Sequence, residues 1–229
     1  TFKTADGQFG ELPSSFFAPD SRFMRYLNRL ADLMILNLLF LLTSIPIFTI
    51  GASLTALYSV CFRLGTDREG STFRDYFAAF KENFRQATSL FLLLLLWLMG
   101  TGGAAVIFCF MAGWMHCLFV PCAVLFIVVV LVASYVFPLL SRFENRTATT
   151  LKNAVLLSLG YLPRSIIIGA INLFPFVLLA VDLLTFLKAG FAWLIIWFSA
   201  AAYCNCLLLK RVFAPYLEEE NDDHSQDET

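Results

Sequence analysis

Four long apolar blocks govern what this sequence can become: residues 88–111 (TSLFLLLLLWLMGTGGAAVIFCFM), 117–140 (CLFVPCAVLFIVVVLVASYVFPLL), 165–184 (SIIIGAINLFPFVLLAVDLL) and 190–209 (GFAWLIIWFSAAAYCNCLLL). An α-helix rises about 1.5 Å per residue, so about 20 residues cross the hydrocarbon core of a bilayer. Each block reaches that length, and none alternates in the way a barrel strand must. Composition agrees: 59% of the 229 residues are apolar and 14% are charged, against roughly 25% charged in soluble domains. The expected fold is an all-α, polytopic transmembrane helical bundle whose first partner is the lipid bilayer.

A further apolar run, 30–64, is interrupted at SIPIFTIGASLTALYSV (44–60), where Pro46 and Gly51 disfavour a continuous helix. It is either one kinked span or two helices folded back on each other. Lysine and arginine beside membrane segments stay on the cytoplasmic side. They gather at Arg22, Arg25 and Arg29; at Arg63, Arg68, Arg74, Lys81 and Arg85; at Arg142, Arg146, Lys152 and Arg164; and at Lys210 and Arg211. The connection at 112–117 has none, and that at 185–189 has only Lys188. The four blocks then run outward, inward, outward and inward. Arginines before residue 30 share the inner side with those from Arg63 only when the run between them crosses an even number of times.

The expectation is therefore a hairpin: out along about 22–45, a turn around Pro46–Gly51, and back along about 52–64. That makes about six membrane helices in a multi-pass protein of the plasma membrane, with both termini cytoplasmic. The returning leg is short, so a full crossing and a re-entrant segment both fit. The competing reading, a single kinked span with the N-terminus outside, strands three arginines on the outer side. The first 19 residues are polar or mixed and no A-x-A-like site follows, so retained helices are expected to direct insertion.

Three segments follow from this division. Residues 1–19 are a polar, cytoplasmic segment; 20–211 are one transmembrane domain; 212–229 are an acidic tail. Seven of the 17 acidic residues lie in PYLEEENDDHSQDET, which has no basic residue. Such a stretch buries too little surface to fold, so disorder is expected, either as a solubilising end or as a docking peptide.

Asp20 or Ser21 can cap the first helix. Arg22, Arg25, Arg29 and Asp32 then share a face, and an Arg29–Asp32 pair would ease Asp32 towards the bilayer. The spacing between inner-side arginines repeats: Arg63 to Arg85 and Arg142 to Arg164 are each 22 residues apart. Each connection is expected to hold a short surface helix, with an internal duplication as a hypothesis. In the first, Phe73, Tyr76, Phe77, Phe80 and Phe84 form one apolar face, opposite Arg74, Lys81, Glu82 and Arg85. Ser71 or Thr72 can cap it. This helix is either interfacial, with its aromatics in the acyl boundary, or a docking helix for a cytoplasmic partner such as an ATPase.

Catalytic chemistry has no foothold. There is no Gly-rich phosphate loop, no H-E-x-x-H and no G-x-S-x-G. His116 with Cys109, Cys117 and Cys122 matches no metal spacing, and neither do Cys204 and Cys206. The chain is expected not to be an enzyme and to need no cofactor, metal or nucleic-acid partner. Polar groups inside spans are costly in lipid and so are better candidates for function: Asp32, Asn37, Asn172, Asp182 and Asn205. Asn172 and Pro175 share a helix, and they either line a polar cavity or serve interhelical hydrogen bonding.

The segment FFAPDSRFMRYLNRLADLMILNLLFLLTSIPIFTIGASLTALYSV, followed by FRDYFAAFKENFRQA, resembles the YesL-like domain-of-unknown-function membrane family of Gram-positive bacteria. The resemblance spans roughly residues 16–210 and is specific over 16–87. It rests on Phe17, Pro19, Asp20, Asn37, Pro46, Thr49, Gly51, Ala52, Ser53, Thr55, Ala56, Leu57, Tyr58, Phe77, Phe80, Lys81, Asn83 and Phe84. It implies an integral membrane protein associated with carbohydrate-uptake and polysaccharide-degradation gene clusters, and it supplies no catalytic residues. The expected function is a non-enzymatic accessory or regulatory partner of a carbohydrate ATP-binding-cassette (ABC) importer, binding its permease or ATPase subunits. The alternative is a small-solute, sugar-type transporter or channel in its own right.

Overall fold

The computed structural model describes residues 2–3, 9–10, 22–64, 71–111, 113–143, 145–188, 190 and 193–227. Its helices are α1 (Arg22–Thr43), α2 (Ile50–Leu64), α3 (Thr72–Phe110), α4 (Phe119–Leu140), α5 (Thr147–Gly160), α6 (Leu162–Val181), α7 (Leu183–Lys188) and α8 (Phe198–Asp227). Short 3-10 turns at Ile47–Thr49 and Gly113–Leu118 lead into α2 and α4, and a π turn at Trp193–Trp197 leads into α8. Phe2–Lys3 and Phe9–Gly10 pair as a two-residue antiparallel ladder. The rest of the 1–19 segment, and the Asp20 or Ser21 cap, lie outside the described residues.

Among the described residues, six helical stretches are long and apolar enough to cross a membrane: Phe23–Thr43, Ile47–Leu64, Thr72–Phe110, Met115–Leu140, Leu162–Leu179 and Ile195–Ala214. The chain is a multi-pass helical membrane protein. The run at 30–64 is two helices rather than one bent helix, and the break has a local cause. Pro46 is extended (φ −76°, ψ 119°), and Thr49 Oγ1 donates within 2.6 Å of the Thr43 and Pro46 carbonyls. The bond to Thr43 occupies a carbonyl that the end of α1 leaves open, as a capping side chain does. Gly51 then lies inside α2 rather than in the turn.

Buried side chains of α1, α2, α3, α4, α6 and α8 form one core, including Leu36, Leu57, Leu90, Tyr135, Ile168 and Leu209. The short α2 is its most enclosed element, with 61% of its apolar window buried against 22% for α3. That enclosure explains its moderate hydropathy: its Ser53 and Thr55 hydroxyls bond back to the carbonyls of Thr49 and Gly51 rather than meeting lipid. Large apolar side chains elsewhere face outward, among them Leu96, Val106, Ile166, Phe176 and Val181. In water such a surface would aggregate; around a membrane bundle it is the lipid contact.

Two expectations need correction. The aromatic segment at 72–86 is no separate surface helix. It is continuous with the following span in the 39-residue α3, because nothing from Thr72 to Met99 is glycine or proline. The corresponding connection, α5, is separate and ends at Tyr161 (φ −115°), with Pro163 beginning the next helix. The two units of the supposed duplication therefore differ in structure. The acidic stretch from 212 continues α8 to Asp227. Extending a helix that packing has already nucleated costs little, and Glu218, Glu219 and Glu220 are good helix formers.

Candidate functional site

Four helices bring a polar cluster together inside the apolar core. Asn205 of α8 is fully buried, and its Nδ2 donates to Asn172 Oδ1 of α6 at 2.8 Å and to the Tyr58 hydroxyl of α2 at 3.2 Å. Asn172 Nδ2 donates to Ser134 Oγ of α4 at 3.2 Å, and Ser134 Oγ donates to the Val130 carbonyl at 3.0 Å. The chain of bonds thus runs α2–α8–α6–α4. Its directionality follows from the inventory of each group, since a primary amide has two donors and one accepting oxygen. Asn205 Oδ1 is buried and has no hydrogen-bond partner among the described residues. Turning the amide over would place a donor there instead, so one end of this side chain stays unmatched in either orientation.

A cavity of about 60 Å³ adjoins the cluster between α2, α6 and α8. Tyr58, Asn172 and Pro175 line it, together with apolar Leu57, Trp197 and Ala201. Two prolines loosen the backbone along the polar cluster, and Pro175 also lines the cavity. Pro175 cannot donate to the carbonyl of Ile171, nor Pro138 to that of Ser134, so polar backbone is available next to both network side chains. The space accepts water or a comparably small molecule.

The other singled-out polar residues lie elsewhere. Asn37 is fully buried, and its Oδ1 accepts the Ser199 backbone N–H at 3.1 Å. It thereby supplies an acceptor where the ladder changes from the π turn to α8. Asp32 is half-buried, and its Oδ1 accepts from Thr72 Oγ1 at 2.8 Å, fastening α1 to the start of α3. Thr72 is thereby engaged across helices, and Ser71, the N-cap residue, makes no side-chain cap bond. Asp182 is exposed beyond the Leu162–Leu179 span, and its Oδ1 accepts the Leu184 N–H at 3.0 Å as the cap of α7.

The aromatic face of α3 turns inward. Tyr76 is fully buried, and its hydroxyl lies 2.6 Å from Thr43 Oγ1 and donates to the Ser53 carbonyl at 3.4 Å. Phe77, Phe80 and Phe84 pack on the core, and Phe80 meets Tyr76 and Phe84 ring to ring. Only Phe73 of this face is exposed. On the opposite side Arg74, Ala78, Lys81, Glu82 and Arg85 are exposed at successive helical spacings. Asp75 pairs with Arg63 at 3.2 Å across the α2–α3 connection.

Tyr58 and Ser134 escaped the search for polar candidates, although each is a hydroxyl within an apolar run. A second cluster escaped it too. Ser165 Oγ of α6 lies 2.9 Å from the Tyr135 hydroxyl of α4 and 2.8 Å from the Ser158 carbonyl of α5. Among the described residues no group of three or more His, Cys, Asp and Glu side chains is placed to hold a metal. Cys109 and Cys117 are exposed, and Cys122 is half-buried.

No curated protein and no solved structure matches the chain. Residues 33–101, from within α1 through α2 and into the last third of α3, match the family described as protein of unknown function, DUF624.

Proposed function

We propose that this chain is a plasma-membrane protein with cytoplasmic termini, acting as a non-enzymatic accessory or regulatory partner of a carbohydrate ABC importer. The observation that carries the reading is the exposed stripe on α3. Arg74, Lys81 and Arg85 project from the same helix that enters the bundle, so the stripe is held in a fixed orientation. Because the aromatic face is used in internal packing, a partner meets charge rather than rings, and charge complementarity governs encounter and register. The YesL-like resemblance over residues 16–87 supports the carbohydrate-uptake context, and the DUF624 match falls in the same part of the chain. Affinity purification from mild detergent tests the proposal. A permease or ATPase subunit should co-purify, and recovery at background level defeats it.

The polar cluster favours a second reading, a small-solute transporter or channel. Its cavity of about 60 Å³ is water-sized, so passage of a sugar requires α2, α6 and α8 to separate. Protein in liposomes should then move a solute, with Asn172→Leu reducing the flux. No flux across a panel of sugars and oligosaccharides counts against it.

A further inference from the structure

A larger cleft, about 380 Å³, lies where the end of α4, α5 and the later part of α8 meet. Leu139, Phe143, Leu156 and Phe213 give it apolar walls, and Asn153 and Tyr161 supply polar edges. Its volume falls in the range of small-molecule sites, which are mostly apolar with a few placed polar groups. The polar cluster does not reach it, and no residue from the α3 stripe lines it.

Two features select the occupant. First, the cleft opens towards an apolar exterior. Leu156, on its rim, is 59% exposed, and nearby Leu159, Leu162 and Ile166 are exposed as well. A bilayer chain reaches such an opening sideways without entering water. Second, the local charge is positive. Between Ser141 and Arg164 the chain carries Arg142, Arg146, Lys152 and Arg164 against Glu144 alone. Arg164 sits with its guanidinium carbon 5.6 Å from the ring of Tyr161, a lining residue, whereas Arg142 holds its guanidinium carbon 5.9 Å from the ring of Phe62, outside the lining. Basic pockets between membrane helices at the headgroup level suit anionic lipid headgroups.

We propose that this cleft binds an anionic phospholipid, with acyl carbons against Leu139, Leu156 and Phe213 and the phosphate towards Arg164. The lipid fills space between α5 and α8 that the protein leaves open.

The test is native mass spectrometry of the whole chain, purified in an uncharged detergent and supplied separately with phosphatidylglycerol, phosphatidylcholine or inorganic phosphate. Phosphatidylglycerol should be retained at least about fivefold better than phosphatidylcholine, and Arg164→Gln should lower that retention about fivefold. Gly160 lines the cleft and a Cβ there meets nothing within 4 Å, so Gly160→Leu should occupy the space and abolish retention. Leu156→Trp, at the exposed rim, provides the same obstruction should Gly160→Leu fail to fold. Equal retention of the two lipids, or unchanged retention in the obstructed variant, overturns the proposal. Phosphate held as well as the lipid also overturns it, in favour of a free anion.

Discussion

Asn205 and Asn172, 33 residues apart in the chain, meet side chain to side chain at 2.8 Å and join α8 to α6 in the middle of the apolar core. Through Tyr58 and Ser134 the same contact extends to α2 and α4. In lipid an amide separated from its partner finds no water, which is why such pairs hold helices together.

Replacing either amide with leucine should therefore destabilise the bundle. Membrane-embedded side-chain bonds average about 0.6 kcal/mol and reach about 1.7 kcal/mol. Asn205→Leu breaks two of them and should cost about 1–2 kcal/mol. In a double-mutant cycle the Asn172→Leu, Asn205→Leu protein should lose less than the sum of the single changes. Equilibrium unfolding in mixed micelles measures this, and strict additivity contradicts a direct contact.

Gly51 and Gly103 should respond in opposite directions to the same change. A Cβ on Gly51 would lie 2.5 Å from the Ala87 carbonyl oxygen and 2.6 Å from Phe91 Cβ. These are not flexible side-chain ends, so α2 and α3 must move apart. Gly51→Ala should cost about 1–3 kcal/mol. Gly103 is exposed inside α3 with nothing within 4 Å of the added atom, so Gly103→Ala should gain about 0.5–1 kcal/mol. Thermal unfolding in detergent compares the two directly.

Tyr76→Phe should weaken the fastening of α3 to α1 and α2. It keeps the ring packing and removes the hydroxyl placed 2.6 Å from Thr43 Oγ1. The expected loss is about 0.5–1.5 kcal/mol. Phe73→Ala, at an exposed position of the same face, should change stability by less than about 0.5 kcal/mol. Were the aromatic face to lie in lipid instead, the two changes would have similar effects.

The helices were legible because lipid imposes a simple demand: about 20 apolar residues in a row, with internally satisfied backbone. The break at Pro46 was legible from the proline itself and from the arginines on either side of the run. What the sequence concealed was which neighbour each face meets. The period of Phe77, Phe80 and Phe84 marks an apolar face equally well for acyl chains and for a protein core. The polar face opposite it suggested a separate surface helix, whereas backbone continuity depends on local propensity and ignores the change of surroundings near residue 87. Asn172 and Asn205 stood out as expensive in lipid, but their meeting depends on how α6 and α8 pack. Ser134 carried a weaker signal because a short hydroxyl can bond to its own helix, as it does to the Val130 carbonyl, and Tyr58 stood out only within the family pattern.

The orientation of the α1–α2 turn governs whether the Arg74, Lys81 and Arg85 stripe faces the cytoplasm, and with it the docking proposal. Phe48, 51% exposed in that turn, is the position to probe. The measurement is labelling of Phe48→Cys in intact cells and in inverted vesicles, in a protein whose Cys109, Cys117, Cys122 and Cys204 are replaced by alanine. A membrane-impermeant maleimide should label residue 48 only from the outside. Labelling from the cytoplasmic side alone would place the turn inside and the basic stripe outside, contradicting both the hairpin orientation and the docking of a cytoplasmic partner on α3.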